Sequence, residues 1–315
     1  MRIFDLEEYL IGTGGWAYFR IPRLKSLTAY SRIFDFVEVN STFYRIPDMK
    51  IVEEWKNQVP PNFKFAVRAH NAITHKYKLQ PVQEASELLE KMRRITETLN
   101  ANILHIQTPP SLKLNDHVAE GFKQLLSSSK LGKVRLALEL RETLPHGPSH
   151  QLLKVMQDNR VVHCVDLSKG EKPRYRSDIL YTRLFGRGHH NIYQPTDEEL
   201  GEIDHTALAS KSEKVVMSFH FVRMYKDAAR LKIYKQTGKF PKITRSTGLN
   251  SLEEVLKEDT IFPASKQDLI QRQGWKLFDE TETKRVHLAE YLDGLPDRMY
   301  ENLRQVTDEL TSVSR

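Results

Sequence analysis

The chain has 315 residues, 28% of them charged and 39% hydrophobic, with a formal net charge of +7. No stretch approaches the roughly 20 consecutive apolar residues of a spanning helix, so a helical membrane protein is excluded. The start MRIFDLEEYL lacks the basic-then-apolar form of a secretory signal, and the single cysteine, Cys164, cannot form an intramolecular disulfide. Both features suit a cytoplasmic protein. The positive balance favours an anionic substrate or partner, such as a phosphorylated metabolite, DNA or RNA.

In chain order, the first run is YLIGTG (9–14), ending in Gly12-Thr13-Gly14-Gly15-Trp16. This block lacks the full dinucleotide fingerprint and any trailing Lys-Ser/Thr, so no nucleotide cofactor is expected. A tight loop that sets Trp16 and Tyr18 for stacking on a sugar or base is the functional alternative to simple packing. Next comes FDFVEVNSTFY (34–44), in which Glu38 and Asn40 share one face and Val37 and Val39 the other. A carboxylate near the end of a buried strand must be compensated by a cation, a metal or a substrate.

The pattern then repeats. FKFAVRAH (63–70) carries Arg68 and His70, ILHIQ (103–107) His105 and Gln107, and VRLALELR (134–141) Glu139 and Arg141. RVVHCVD (160–166) ends in Asp166, ILYTRL (179–184) carries Arg183, and VVMSFH (215–220) ends in His220. Amphipathic segments separate the runs, such as 83–100 with apolar residues at Ala85, Leu88, Leu89, Met92 and Ile95. Alternating strands and helices predict a parallel sheet with right-handed crossovers. About eight strands fit a (β/α)8 TIM-type barrel, regular or slightly irregular, over 1–240. In such a barrel the C-terminal strand ends converge on one pocket.

IGTGGWAY (11–18), VEVNSTFY (37–44), FKFAVRAHNAITH (63–75), IQTPPSL (106–112), ALELR (137–141) and YTRLFGR with a following Tyr193 occur in the order of the YecE-like family, domain of unknown function 72. The chain resembles that family over about residues 9–235. The resemblance implies a TIM-type barrel with an enzyme-like pocket, related by fold to sugar isomerases and metal-dependent endonucleases. The chain departs from the family pattern at Phe185-Gly186 and at His220-Phe221.

Two chemistries suit these residue types. A divalent Mn, Mg or Zn ion would draw ligands from Glu38, His70, Glu139, Asp166 and His220, and arginines would balance transition-state charge. Without a metal, Glu139 tuned by Arg141 would be the acid or base and His75 a proton shuttle, while Asn40 and Gln107 orient the substrate. The catalytic candidates are therefore Glu38, His70, His75, Glu139, Arg141 and Asp166. Candidate binding residues are Trp16, Tyr18, Asn40, Tyr44, Arg68, Gln107, Arg183, Arg187 and Tyr193. Asp166 has an alternative role as a partner of Arg183.

Basic stretches follow the late strands, at 169–176, 181–190 and 223–239. Gly186 and Gly188 would let backbone amides approach an anion, and interleaved tyrosines would suit single-stranded nucleic acid. A solvated helix face is the plain alternative for 223–239. Residues 241–315 read as a linker and a small helical domain, with helices over 251–257, 265–273, 284–291 and 297–309 and caps at Ser251 and Ser265. Its PASKQDLIQRQGW and LAEYLDGLPDRMYENLRQV segments resemble a small helical module seen in other proteins. The function expected is hydrolysis of nucleic-acid phosphodiesters, with a sugar-phosphate isomerase or lyase, or a non-catalytic nucleic-acid-binding protein, as alternatives.

Overall fold

The computed structural model describes residues 6–141 and 147–313. Each run read from the sequence is a strand: β1 (Glu8–Thr13), β2 (Phe36–Val39), β3 (Lys64–Arg68), β4 (Ile103–Gln107), β5 (Arg135–Glu139), β6 (Val162–Cys164), β7 (Ile179–Leu184) and β8 (Lys214–Phe219). All pair in parallel in the order β6-β5-β4-β3-β2-β1-β8-β7. A parallel bridge between Val165 and Thr182 joins the two ends, and the Arg183 amide donates to the Val165 carbonyl at 3.1 Å. This is a closed TIM-type barrel.

Helices cover the strands because their apolar residues recur at helical spacing. In Gln83–Thr98, Ala85, Leu89, Met92 and Ile95 are buried, a one-sided stripe. The expected segment ran to 100. The helix stops at Thr98, and the chain turns through Asn100 at φ 53°, a left-handed conformation Asn tolerates. Among the described residues, no helix is long and apolar enough to cross a membrane.

Side chains of alternate strand residues fill the barrel. At the N-terminal half of the strands they are apolar: Phe36, Ala66, Ile103, Ala137, Ile179 and Val216 form one buried cluster with Tyr181. Two residues further along the same faces come Glu38, Arg68, His105, Glu139 and Ser218, all buried and polar. The period-2 alternation thus turns one apolar layer into a polar layer above it.

The chain divides into two compact units: one runs up to Leu184 and adds Thr206–His220, and the other holds Phe185–His205 and everything from Phe221 onward. The second unit has a core of Leu252, Val255, Phe278, Leu292, Tyr300 and Val306. Its helices are Met224–Thr237, Gly248–Lys257, Lys266–Gln273, Ala289–Leu292 and Leu303–Val313. Two short antiparallel ladders join Ala264–Ser265 to Met299–Tyr300 and Leu277–Asp279 to Arg285–His287. The expected capping box at Ser265 is present, with Asp268 closing it.

Other expectations for this module are corrected. Residues expected as a helix over 284–291 instead form a strand, Arg285–His287, before the short helix. The last helix begins at Leu303 rather than 297. Ser251 is buried inside a helix capped at Thr247, where its hydroxyl accepts the Asp279 amide at 2.9 Å. For the strand and for Ser251 the reason is shared: Asp279 is buried, and its carboxylate binds the Ile243 and Thr244 amides (2.9 and 2.7 Å) and Arg285 (3.1 Å). That charge compensation favours a hairpin over a helix.

Gly12 lies on β1 opposite Phe36, and a Cβ there would come within 2.1 Å of the Phe36 carbonyl oxygen. Gly12→Ala should destabilise the barrel by about 2 kcal/mol or more through forced strand displacement. A denaturant-unfolding midpoint equal to that of the parent would show that β1 and β2 are not so closely apposed.

Candidate functional site

The polar layer at the C-terminal ends of the strands is organised around Arg183, on β7. Glu38 on β2 and Glu139 on β5 are both buried. Arg183 Nε donates to Glu38 Oε2 at 3.0 Å and Nη2 to Oε1 at 3.0 Å. Its Nη1 donates to Glu139 Oε2 at 2.5 Å. One guanidinium therefore bridges two carboxylates, whose other oxygens also have partners. Tyr181 donates its hydroxyl proton to Glu38 at 2.5 Å, His220 Nε2 lies 3.4 Å from Glu38, and His105 Nε2 lies 3.1 Å from Glu139. Arg141 Nε donates to the remaining oxygen of Glu139.

Burial alone would raise the pKa of both carboxylates. Arg183 outweighs burial, helped by His220 and His105 at Glu38 and by His105 and Arg141 at Glu139, so both lie well below the usual carboxylate range. They are anions, and poor proton carriers at neutral pH. His105 and His220 are pushed down to about 4, first by burial and then by Arg183. Neutral His105 donates through Nε2 to the carboxylate, which leaves its buried Nδ1 as a bare acceptor with no partner.

Arg68, on β3, is the other guanidinium of the layer, and its environment differs. It is 9% exposed and lies over the Phe43 ring at 3.6 Å. It donates to the amide oxygens of Gln107 (2.5 Å) and Asn40 (3.1 Å), and its Nε has no partner. Both amide oxygens also accept from Arg183, at 3.1 and 3.5 Å. The Asn40 amide nitrogen donates to the Gly14 carbonyl at 2.7 Å, which fixes the amide's orientation. Gly14 is tight against this group: a Cβ would meet His220 at 2.2 Å. Burial and Arg183 bring the Arg68 pKa down to about 10, so it is charged at neutral pH but lacks a carboxylate of its own.

His75 ends the short helix Ala72–His75 after β3 and is exposed. Its Nδ1 shares a 2.9 Å hydrogen bond with Thr74, and its ring meets Phe43 edge-on at 5.5 Å. Burial lowers its pKa, an Asn71 backbone bond opposes this, and Arg68 and Arg141 lower it further. His75 is therefore a neutral imidazole within the field of two guanidinium groups.

Other expected residues are placed as follows. His70 accepts the Ala72 amide at 3.3 Å, and Asp166 caps the turn Leu167–Lys169 by accepting the Ser168 amide at 3.0 Å. Trp16 packs edge-to-face on Trp55, with 5.4 Å between ring centroids. Tyr18 and Tyr44, in the loops after β1 and β2, are 80% and 72% exposed. Arg187 and Tyr193 belong to the second unit, where Glu199 accepts the Tyr193 hydroxyl at 2.6 Å and lies 3.9 Å from Arg187. In that unit the glycines expected to bind an anion are explained by packing. A Cβ on Gly186 would strike Phe221 at 2.6 Å, and one on Gly188 the Ile192 carbonyl at 2.2 Å.

The basic segment 223–239 spends its cations on the unit's own acids. Lys226 meets Glu258 at 3.1 Å, Arg230 meets Asp197 at 2.6 Å and Asp227 at 3.1 Å, and Lys235 meets Asp204 at 2.9 Å. Burial raises the Asp227 pKa to about 6 against the pull of Arg230.

The metal donors gathered in space differ from the set expected. Among the described residues, His105, Glu139 and Cys164 offer ligand atoms that lie within 4.8 Å of one another. Their types suit a zinc-like ion. However, Glu139 already meets Arg183 and Arg141, and burial holds the Cys164 thiol well above its usual pKa, hence protonated. The cation that these carboxylates meet is Arg183. Sequence reading passed over His105 and Tyr181 as site residues, although they share strand parity with Gln107 and Arg183.

The family described as "Protein of unknown function DUF72" matches residues 10–236. The chain belongs to the DUF72 family. The UPF0759 protein YunF of Bacillus subtilis is 29% identical over 149 residues, 45% of this chain and 52% of that protein. The UPF0759 protein YecE of Escherichia coli K12 is 32% identical over 85 residues, 26% of this chain and 31% of that protein. The chain thus spans about half of one curated relative and a third of the other. A crystal structure of a DUF72 family protein from Thermotoga maritima superposes with a TM-score of 0.59 at 20% identity, covering 73% of this chain and 99% of that one. This likeness supports the DUF72 fold.

Two outcomes are expected. Arg183→Met strands two buried carboxylates and should cost on the order of 3–5 kcal/mol, read as a lower denaturant midpoint; an unchanged midpoint would exclude the bridging role. The buried histidines give the sign of the pH effect. Their folded pKa of about 4 lies below the unfolded value of about 6.5, so the unfolded chain binds more protons between these pH values. Stability should fall progressively as pH drops from about 6.5 to 4, and fall again where Glu38 and Glu139 protonate. A melting temperature flat from pH 7 to 4.5 would contradict this.

Proposed function

We propose that the DUF72 barrel of this chain is an enzyme acting on a small phosphorylated substrate, by proton transfer in an isomerase- or lyase-type reaction. The observation that carries the reading is Arg68, a buried guanidinium whose partners are neutral amide oxygens and whose Nε has none. A buried cation that touches no carboxylate is costly, and a ligand anion would add a direct partner to the more distant pull of Glu38 and Glu139. Arg141 offers a second, more exposed guanidinium, and His75 is neutral in the field of both. In this reading Arg68 and Arg141 hold the phosphate and His75 takes the proton from carbon and returns it to the product. Glu38 and Glu139 hold Arg183 in place rather than moving protons.

A second reading keeps the same anion site but places the phosphate in a single-stranded nucleic acid, with phosphodiester hydrolysis as the reaction. The exposed rings of Tyr18 and Tyr44 favour it, because stacking platforms of this kind accept any base. The self-neutralised helix Met224–Thr237 offers it little. A divalent ion at His105, Glu139 and Cys164 would add Lewis-acid chemistry, but no step proposed here depends on it.

The discriminating experiment incubates the full chain with a panel of sugar phosphates and with labelled oligonucleotides, in EDTA and in Mn²⁺ or Mg²⁺. Turnover of a sugar phosphate in EDTA supports the first reading; strand cleavage alone moves the assignment to the second. Arg68→Met should weaken binding of a phosphorylated ligand at least tenfold while leaving the melting temperature equal or higher, since it deletes a buried charge that contacts only neutral amide oxygens. His75→Gln should spare binding and remove most turnover. Full phosphate affinity in Arg68→Met would overturn the anion site.

A further inference from the structure

The opposite end of the same barrel carries a concave site of its own. At the N-terminal strand ends, a cavity of about 460 Å³ has an apolar floor made by Leu10, Phe36, Ile103, Ile179 and Val216. Its rim carries five cationic side chains, Lys64, Lys133, Arg135, Arg160 and Lys214, against three carboxylates, Glu8, Asp178 and Glu213. The carboxylates do not neutralise the rim evenly. Asp178 is shared by Arg135 at 2.8 Å and Arg160 at 3.3 Å, and Glu8 lies 4.0 Å from Lys214. Lys64 and Lys133 have no ion-pair partner among the described residues. An apolar floor beneath uncompensated ammonium groups matches a ligand with a compact apolar body and one negative group, and the volume lies in the range of small-molecule sites.

We propose that this cavity is a second, non-catalytic site for an aromatic carboxylate. None of its lining residues is a histidine, cysteine, serine, threonine or tyrosine, so it offers no imidazole, thiol or hydroxyl for catalysis. The buried layer that contains Tyr181 fills the barrel between it and the Arg183 layer, so the two sites are separate. The ring would lie on Leu10, Ile103 and Ile179, with the carboxylate toward Lys64 and Lys133. The proposal does not depend on the phosphate-binding reading.

The probe is 2-naphthoate, titrated by fluorescence into the full chain, with neutral 2-naphthol as its control. Expected are saturable one-to-one binding, weakening at high salt, and at least tenfold weaker binding of the naphthol. Lys64→Glu combined with Lys133→Glu should weaken naphthoate at least tenfold, and Arg68→Gln should leave it unchanged. Lys64→Gln with Lys133→Gln gives a milder version should the charge reversal disturb folding. Absence of saturable binding, equal affinity for naphthol, or affinity unaffected by both lysine pairs would overturn the site. A loss on Arg68→Gln would do so as well, by placing the ligand at the other end of the barrel.

Discussion

Two carboxylates inside a barrel can exist only if something positive lies between them, and Arg183 is that group. Its side chain bridges Glu38 and Glu139, which come from strands on either side of the barrel, while its backbone amide donates to Val165 where β6 and β7 close the ring. One residue therefore ties barrel closure to the charge balance of the pocket. The surrounding hydroxyl, imidazoles and amides of Tyr181, His105, His220, Asn40 and Gln107 complete the hydrogen bonding that makes a buried ion cluster tolerable.

Against that background, Arg68 stands out by contrast. Both guanidinium groups share the oxygens of Asn40 and Gln107, but the two carboxylates contact Arg183, and Glu139 also Arg141, rather than Arg68. One arginine is a structural counter-ion and the other is left under-compensated. Local departures from full charge satisfaction concentrate where proteins work rather than where they merely fold. The electrostatics thus separate residues that share the polar layer: Glu38 and Glu139 are the partners of Arg183, Arg68 is held by amide oxygens, and His75 is an exposed, neutral imidazole.

Much of this was legible beforehand. Strand existence and parity followed from β-branched runs with period 2, and Ile103–Gln107 and Ile179–Leu184 begin and end where the runs do. The glycines after β7 were read as an anion loop because glycine permits both close backbone approach and tight packing, and only the positions of Phe221 and Ile192 decide between them. The basic segment 223–239 looked like a nucleic-acid surface because its acidic partners, Asp197, Asp204 and Glu258, lie 31 to 35 residues away in sequence. In the C-terminal module, the stretch expected as a helix over 284–291 became partly a strand because the buried Asp279 carboxylate needs Arg285 beside it.

The sequence by itself determined the alternation of strands and helices, the inward faces of the strands, and the polar character of their C-terminal ends. Those are local properties, carried by spacing along a few residues. The tertiary structure alone decided which charge meets which. Glu38 and Arg183 are 145 residues apart and Glu139 and Arg183 are 44 apart, and ring closure brings them within hydrogen-bonding distance. Because a buried carboxylate and an exposed one read alike in a sequence, only that closure shows which arginine contacts both carboxylates and which meets amide oxygens instead.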